Sequence, residues 1–508
     1  MKSKSVLVIG AGIGGITAAT HLAQRGMKVM VLEKNSRPGG RCDRFSREGH
    51  KFDAGPTLLV MPLLYESEFA ALGAGAPVGE LLNLRRVDPT YHLVFDNGSK
   101  LALTSDMKSM QEQLESFQPG SFPGLLRYME EGHRHYHLGM EKLVNHDFRK
   151  ASDFFKLSNL PLVYQLKPLA NHYRNMSAYF DDPRLKAAFT FQDVYMGLSP
   201  FEAPATFSMM PYTELAHGVW YPKGGMYSIV EVLTRLAEQA GVEFEFDTVV
   251  ERIEVNGPQA QGVLLSDGRQ IKADAVLANA DLPYVYKELL PPTGESERLA
   301  RKRFSCSVIS FFWGVDKPYP QLPPHTLFLA DDYRQNFTSI IDDLDLPTNP
   351  CLYVHAPARL DPSMAPEGQD TIIAIVPVGH MSENGDQAKH AAERQCRQDW
   401  AQIRDTARQH VFRRLKTLGI TDLEEHLKFE VNYTPLSWRK RYNLMKGSTH
   451  GLCHNLTQLG YFRPHNRHAL YHNLYFVGAS THPGTGMPTA MVSGRLAAER
   501  MIDELQIN

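Results

Sequence analysis

Ser5-Val-Leu-Val-Ile9-Gly10-Ala-Gly12-Ile13-Gly14-Gly15 reads as a short apolar strand that breaks into a glycine-rich turn. Its β-branched run has the pattern of a strand buried on both faces. Beyond the turn, Ile16 to Arg25 favours helix, Met27 to Leu32 forms a second strand, and Glu33 closes it. The whole is a βαβ unit. Gly10 permits the turn, Gly12 lets the backbone approach a pyrophosphate, and Gly15 with Ala19 lets the helix pack closely on the sheet. The helix start at Ile13 and Gly14 then offers free N–H groups and a positive dipole end to an anion. Glu33 stands where a carboxylate accepts hydrogen bonds from a ribose hydroxyl, which disfavours a ribose 2′-phosphate. Dinucleotide binding follows, although these residues do not separate FAD from NAD.

The chain has 508 residues, 43% hydrophobic and 22% charged, the composition of a soluble globular protein of several domains with room for a deep cavity. Basic and acidic residues number 54 and 56, so no net positive field attracts nucleic acid. Cys42, Cys306, Cys351, Cys396 and Cys453 are scattered singly, which fits a reducing cytoplasmic compartment and no zinc site. Ser5 to Leu22 lacks charge after Lys2 and Lys4 and superficially resembles a secretory signal, but its glycines and threonines fit the βαβ unit better. No segment reads as a transmembrane helix.

Two further stretches extend the reading. Arg37-Pro-Gly39-Gly40-Arg41 follows the ribose-binding acid, and Phe52-Asp-Ala-Gly55-Pro56-Thr57 follows a strand-like stretch. Near the other end, Asn473-Leu-Tyr-Phe-Val477 is a strand candidate running into Gly478-Ala-Ser-Thr-His-Pro-Gly484-Thr-Gly486-Met487-Pro488, with a helix expected from Thr489 to Leu505. A second positive helix end there would stabilise charge developing on a reduced ring. Between them lie Gly218-Val-Trp-Tyr-Pro-Lys-Gly-Gly225, Asn279-Ala-Asp281, His355-Ala-Pro357, Ala365-Pro-Glu-Gly368 and Phe462-Arg-Pro-His-Asn-Arg467.

In this order, over nearly the whole chain, the set resembles the bacterial-type phytoene desaturase family of FAD-dependent oxidoreductases. The resemblance implies an FAD-dependent carotenoid desaturase that acts on a long polyisoprenoid and lies at the membrane surface without spanning it. By position it implies that Gly10, Gly12, Gly15, Glu33, Lys34, Gly40 and Arg41 meet the phosphates and ribose of the cofactor. Val250 would meet adenine through its backbone. Gly478, Ala479 and Met487 would lie against the ribityl and ring end, and Thr57 belongs to the same cofactor-binding set.

The expected fold class is α/β. A discontinuous Rossmann-like FAD-binding domain comprises residues 1–85, 220–290 and 465–508, and an inserted α+β substrate domain comprises 86–219 and 291–464. Within the insert, about 105–200 reads as a helical lid, cut short by Pro161 and Pro168, with Phe154, Phe155, Leu160, Val163 and Leu169 able to line a tunnel or dip into a bilayer interface. Gly262 to Ile271 reads as a hairpin with an Asp267-Gly268 turn. His133, His135 and His137 invite a metal reading, but no carboxylate or cysteine partner stands out, and Glu130, Glu131 and Arg134 suit a solvated face. No G-x-S-x-G elbow and no internal repeat occurs.

The expected chemistry removes hydrogen from a CH2–CH2 unit between double bonds, so catalysis rests on the flavin and on holding the chain flat against it. Relatives can carry an Asp and an Arg three residues apart in the lid, and the match here is Asp153 with Lys156, where the lysine departs from the pattern. Asp153 is the candidate catalytic base. With no second glycine fingerprint and no cysteine pair, electrons are expected to leave to oxygen or a membrane quinone. Sibling reactions stay open: desaturation of a C30 diapophytoene or squalene-like chain, 3,4-desaturation, isomerisation or terminal oxidation. Outside the enzymes stands a prenyl-lipid chaperone, which has no need of the second glycine loop at 478 to 486.

Overall fold

The computed structural model describes residues 3–383 and 398–505, and Cys396 lies outside them. The apolar pentapeptide forms the strand Ser5–Ile9 at the centre of a five-stranded parallel sheet. On one side it pairs with Lys28–Leu32 and beyond that Glu243–Glu245; on the other it pairs with Ala275–Ala278 and then Leu474–Phe476. Strands far apart in sequence thus meet in one short-stranded sheet, largely buried except at the edge strand Glu243–Glu245.

The helix after the turn spans Ile13–Gln24, beginning three residues before the expected Ile16 because Gly14 and Gly15 belong to its first turn. It packs on the C-terminal helix Met487–Glu504 through small residues. A Cβ on Gly494 would stand 2.6 Å from the Gly14 carbonyl oxygen, so the two backbones touch only because glycine is there. The Asp-Gly hairpin forms as expected, between Gln259–Leu265 and Gln270–Lys272, and a third strand, Val250–Asn256, completes a small antiparallel sheet.

A second large sheet is mixed and has seven strands, in the order Leu427–Tyr433, Ser307–Val315, Asp370–Val378, Leu352–His355, His325–Leu329, Tyr91–Phe95 and Lys100–Leu103. Period-two alternation divides its residues between two jobs. Ile309, Phe311, Val354, Ala374 and Val376 join the core beneath the helix Trp400–Lys416. Their neighbours Val308, Ser310, Tyr353, Ile375 and Pro377 line a cavity on the opposite face.

Helices Ser121–Gly139, Leu160–Leu166 and Met209–Ala216 contribute residues to the cavity wall. Met107–Phe117, Ser121–Gly139, Leu160–Leu166, Pro183–Ala188 and Met209–Ala216 fall in or beside the stretch read as a lid. Leu160–Leu166 is held to two turns because Pro161 starts it and Lys167, in a left-handed conformation before Pro168, ends it. Among the described residues no helix is long and apolar enough to cross a membrane.

Candidate active site

One cavity of about 1120 Å3 runs from the glycine turn to the lid, at or beyond the upper end of the ~300–1,000 Å3 usual for small-molecule sites. Its groove end is built from backbone. Gly10 takes a φ of +95°, which turns the chain sharply after the first strand. The helix that follows has Gly12 at its N-cap and no side chain capping it, so its first N–H groups stay free at the cavity wall. The C-terminal helix repeats the arrangement, with Gly486 at the N-cap, Pro488 in the first turn and again no side-chain cap. Two positive helix ends therefore face one cavity, each bordered by glycines.

Glu33 lies buried at the end of the second strand. Its Oε2 accepts a hydrogen bond from the Ala11 N–H at 2.8 Å, and Oε1 accepts two from Asn35, at 2.9 and 2.7 Å, which fixes the carboxylate at the cavity wall. Val250 is on the same wall, close by, because the Thr248 N–H donates to the Glu33 carbonyl. A carboxylate at a strand end, glycine backbone at a helix end and a second helix end farther along suit a dinucleotide, from ribose to pyrophosphate to ring.

Of the residues expected at the cofactor, Gly10, Gly12, Ile13, Gly14, Glu33, Lys34, Gly40, Arg41, Thr57, Val250, Gly478, Ala479 and Met487 all line this cavity. Gly15 does not. A Cβ there would stand 2.4 Å from the Gly10 carbonyl oxygen and 2.8 Å from Asn279 Nδ2, so its role is to let the turn close on the helix. Lys34 donates to the Lys440 carbonyl at 3.0 Å and to Asn443 Oδ1 at 2.7 Å, tying the groove to the segment after Trp438. Arg41 donates to the Thr449 carbonyl at 2.6 Å; burial lowers its pKa, and nearby Asp281 opposes that.

Asp153 is not brought into the cavity. Its Oδ2 accepts the Lys150 N–H at 2.9 Å and so caps a four-residue helix, because an acid at the third helical position reaches back to its own N-cap. Lys156 does line the cavity. Glu131, expected on a solvated face, is instead buried and paired with Lys167, while Asn175 Nδ2 donates to it at 2.6 Å. His135 is buried between Ser208 Oγ and the Gln165 carbonyl, and His133 meets the Tyr212 hydroxyl at 2.8 Å. Among the described residues no cluster could hold a metal ion.

The sequence motifs acquire their roles through partners that spacing does not reveal. Asn279 Nδ2 donates to the Gly10 carbonyl at 3.0 Å, pinning the first turn from the neighbouring strand. Asp53 receives the Tyr221 hydroxyl at 2.9 Å and the Tyr227 N–H at 3.3 Å, which joins the Phe52–Thr57 stretch to the Gly218–Gly225 stretch; burial raises its pKa to about 6. Arg463 is buried, and among the described residues it forms no ion pair with a carboxylate. It donates to the carbonyls of Thr481, Cys453, Gln458 and Leu452 at 2.9 to 3.2 Å and also to that of Ala479, and thereby shapes the second glycine loop. Thr57 Oγ1 stands 2.9 Å from the Tyr353 hydroxyl, which in turn stands 2.6 Å from His325 Nδ1.

Comparison with known proteins identifies the family. The model of the flavin containing amine oxidoreductases matches residues 13–502. The chain belongs to that family. This flavoprotein is 38% identical to a phytoene desaturase of Fusarium fujikuroi over 99% of its own length and 90% of the relative's. It is 30% identical to a 4,4′-diapophytoene desaturase (4,4′-diaponeurosporene-forming) of Staphylococcus aureus strain Newman, over 99% of each chain. Putrescine oxidase bound to putrescine superposes with a TM-score of 0.64 over 99% of each chain at 15% identity, a likeness of fold. The protein is an FAD-dependent oxidoreductase.

Proposed function

We propose that this flavoenzyme desaturates a long polyisoprenoid of the phytoene type, converting phytoene towards neurosporene or lycopene. The observation that carries the reading is the continuity of the cavity: the wall that begins at Gly10 and Gly478 runs on to Leu58, Phe207, Met210, Leu327 and Leu162. Such a wall offers a hydrocarbon chain dispersion contacts and excludes water along its length. When bound, FAD supplies the two-electron acceptor. The chain's own residues hold the polyene flat, keep water from the reacting carbons and fix the cofactor through its backbone amides. A cofactor unit of residues 1–85, 220–290 and 465–508 and a substrate unit from the rest divide this labour. Electrons then leave to oxygen or a membrane quinone.

The rim supports access from a bilayer. Phe155, Leu157, Tyr164 and Leu169 are 61%, 85%, 86% and 76% exposed, and Phe155, Leu157 and Leu169 also line the cavity mouth beside Lys156. Apolar groups flanked by lysine suit the interface of a membrane, where a hydrophobic substrate dissolves. Likeness to the Staphylococcus protein supports a second reading, a C30 chain, at lower identity. Purified enzyme with FAD, given phytoene or diapophytoene in liposomes, separates the two by the absorption of the product. Coloured product from phytoene supports the first reading, and colour from diapophytoene alone supports the second.

A further inference from the structure

Removal of two hydrogens from adjacent carbons releases one of them as a proton, and an apolar cavity must provide somewhere for it to go. Most polar groups on this wall are already committed. Tyr91 and Tyr195 pair with each other and back onto buried Glu214, whose carboxyl accepts from Gln192 Nε2 at 2.9 Å. His454 Nε2 accepts the Thr485 N–H at 3.0 Å, which occupies its lone pair. Burial, with the Arg41 cation nearby, lowers the His450 pKa to about 4.

Tyr353 is placed differently. It lines the cavity at the seam between the Gly55–Thr57 loop and the mixed sheet, with its hydroxyl between Thr57 Oγ1 and His325 Nδ1. His325 is 1% exposed, its ring stacks on that of His355 at 4.6 Å, and its Nε2 has no hydrogen-bond partner. His355 donates its own Nδ1–H to the Pro324 carbonyl at 2.8 Å. Burial, with His355 and His92 nearby, keeps His325 neutral, and in the tautomer with its hydrogen on Nε2 the Nδ1 lone pair accepts the Tyr353 hydroxyl.

Resting on the desaturation reading above, we propose that Tyr353 is the catalytic group that takes the substrate proton and that His325, behind it, is the positioning residue that receives the tyrosine's own proton. The step balances. With FAD bound, one C–H bond would give up its hydrogen with the electron pair to the oxidised cofactor. The neighbouring carbon gives a proton to Tyr353 Oη as that oxygen's hydrogen moves to His325 Nδ1, and the freed C–H pair closes the new double bond. An allylic cation left by hydride loss is a far stronger acid than imidazolium, so transfer is downhill even to a buried histidine. The proton stays on His325 until a quinone or oxygen takes it up with the two electrons.

The test uses FAD-loaded enzyme and phytoene deuterated at one or the other carbon of the first bond oxidised. Wild-type conversion of unlabelled phytoene, run in the same assay, checks the desaturation reading separately. Wild type is expected to show an isotope effect from the hydride-losing carbon alone. Tyr353→Phe is expected to retain flavin absorbance, to turn over at least about tenfold more slowly and to gain an isotope effect at the proton-losing carbon. His325→Gln can still accept the tyrosine hydroxyl but cannot hold its proton, and is expected to show the same new isotope effect. Turnover within about twofold of wild type in both variants, with the single-carbon pattern unchanged, would overturn the proposal. So would the new isotope effect arising from His482→Gln, a further imidazole on the wall, and not from these two.

Discussion

The two ends of the cavity are made of different material. At the groove, glycine backbone, two bare helix ends and a carboxylate held by three hydrogen bonds leave nothing to adjust. At the mouth, Leu157 and Tyr164 on short helices project outward and touch little. A charged, rigid cofactor calls for fixed dipoles, whereas a flexible hydrocarbon needs only an apolar wall and a way in. Substitutions should therefore act on stability and flavin retention at the first end and on substrate access at the second.

The largest effect is expected from Arg463→Met. It leaves buried carbonyls of Leu452, Cys453, Gln458, Ala479 and Thr481 without their donor, so the second glycine loop loses its frame. A loss of about 3 kcal/mol or more is expected, read as a lower chemical-denaturation midpoint and a colourless protein. Gly15→Val comes next. Its side chain would collide with the Gly10 carbonyl and Asn279, costing about 1–3 kcal/mol of stability and abolishing flavin absorbance at FAD concentrations that saturate wild type.

Glu214 sets a pH dependence between these extremes. Burial raises its pKa from 4.5 to about 8, so the folded state holds a proton that the unfolded chain releases. Its contribution to stability is complete below the unfolded value and is lost as pH rises towards 8. Between pH 6 and 8 wild type should lose up to about 3 kcal/mol by this route, and Glu214→Gln should flatten that slope. Smaller still is the effect of Leu157→Asp with Tyr164→Ser. Folding should change by only about 0.5 kcal/mol, while co-sedimentation with liposomes and turnover of bilayer-dissolved substrate fall. Asp153→Asn closes the series, with turnover within about twofold of wild type, because that carboxylate caps a local turn.

Legibility in the sequence followed the same divide. Gly10, Gly12, Glu33 and the Gly478 loop could be read because their work is done by the local backbone, which demands specific residues at fixed spacing. The alternation in Ser307–Val315 that separates core from cavity was visible in principle, but its strand partners lie far along the chain, Ser310 pairing with Tyr433. Arg463 and Asn279 sat in quoted motifs without a role, since what they hold belongs to other strands and loops. The lid gave no period to follow. Its helices range from the four residues of Ala151–Phe154 to the nineteen of Ser121–Gly139, too varied for one period to dominate.

Absorption spectra of lipid extracts from cells that accumulate colourless phytoene, with and without this protein, test the central claim most directly. New visible bands with three-peaked fine structure are predicted, their position counting the double bonds added. Unchanged phytoene beside a yellow, FAD-loaded protein would contradict the claim.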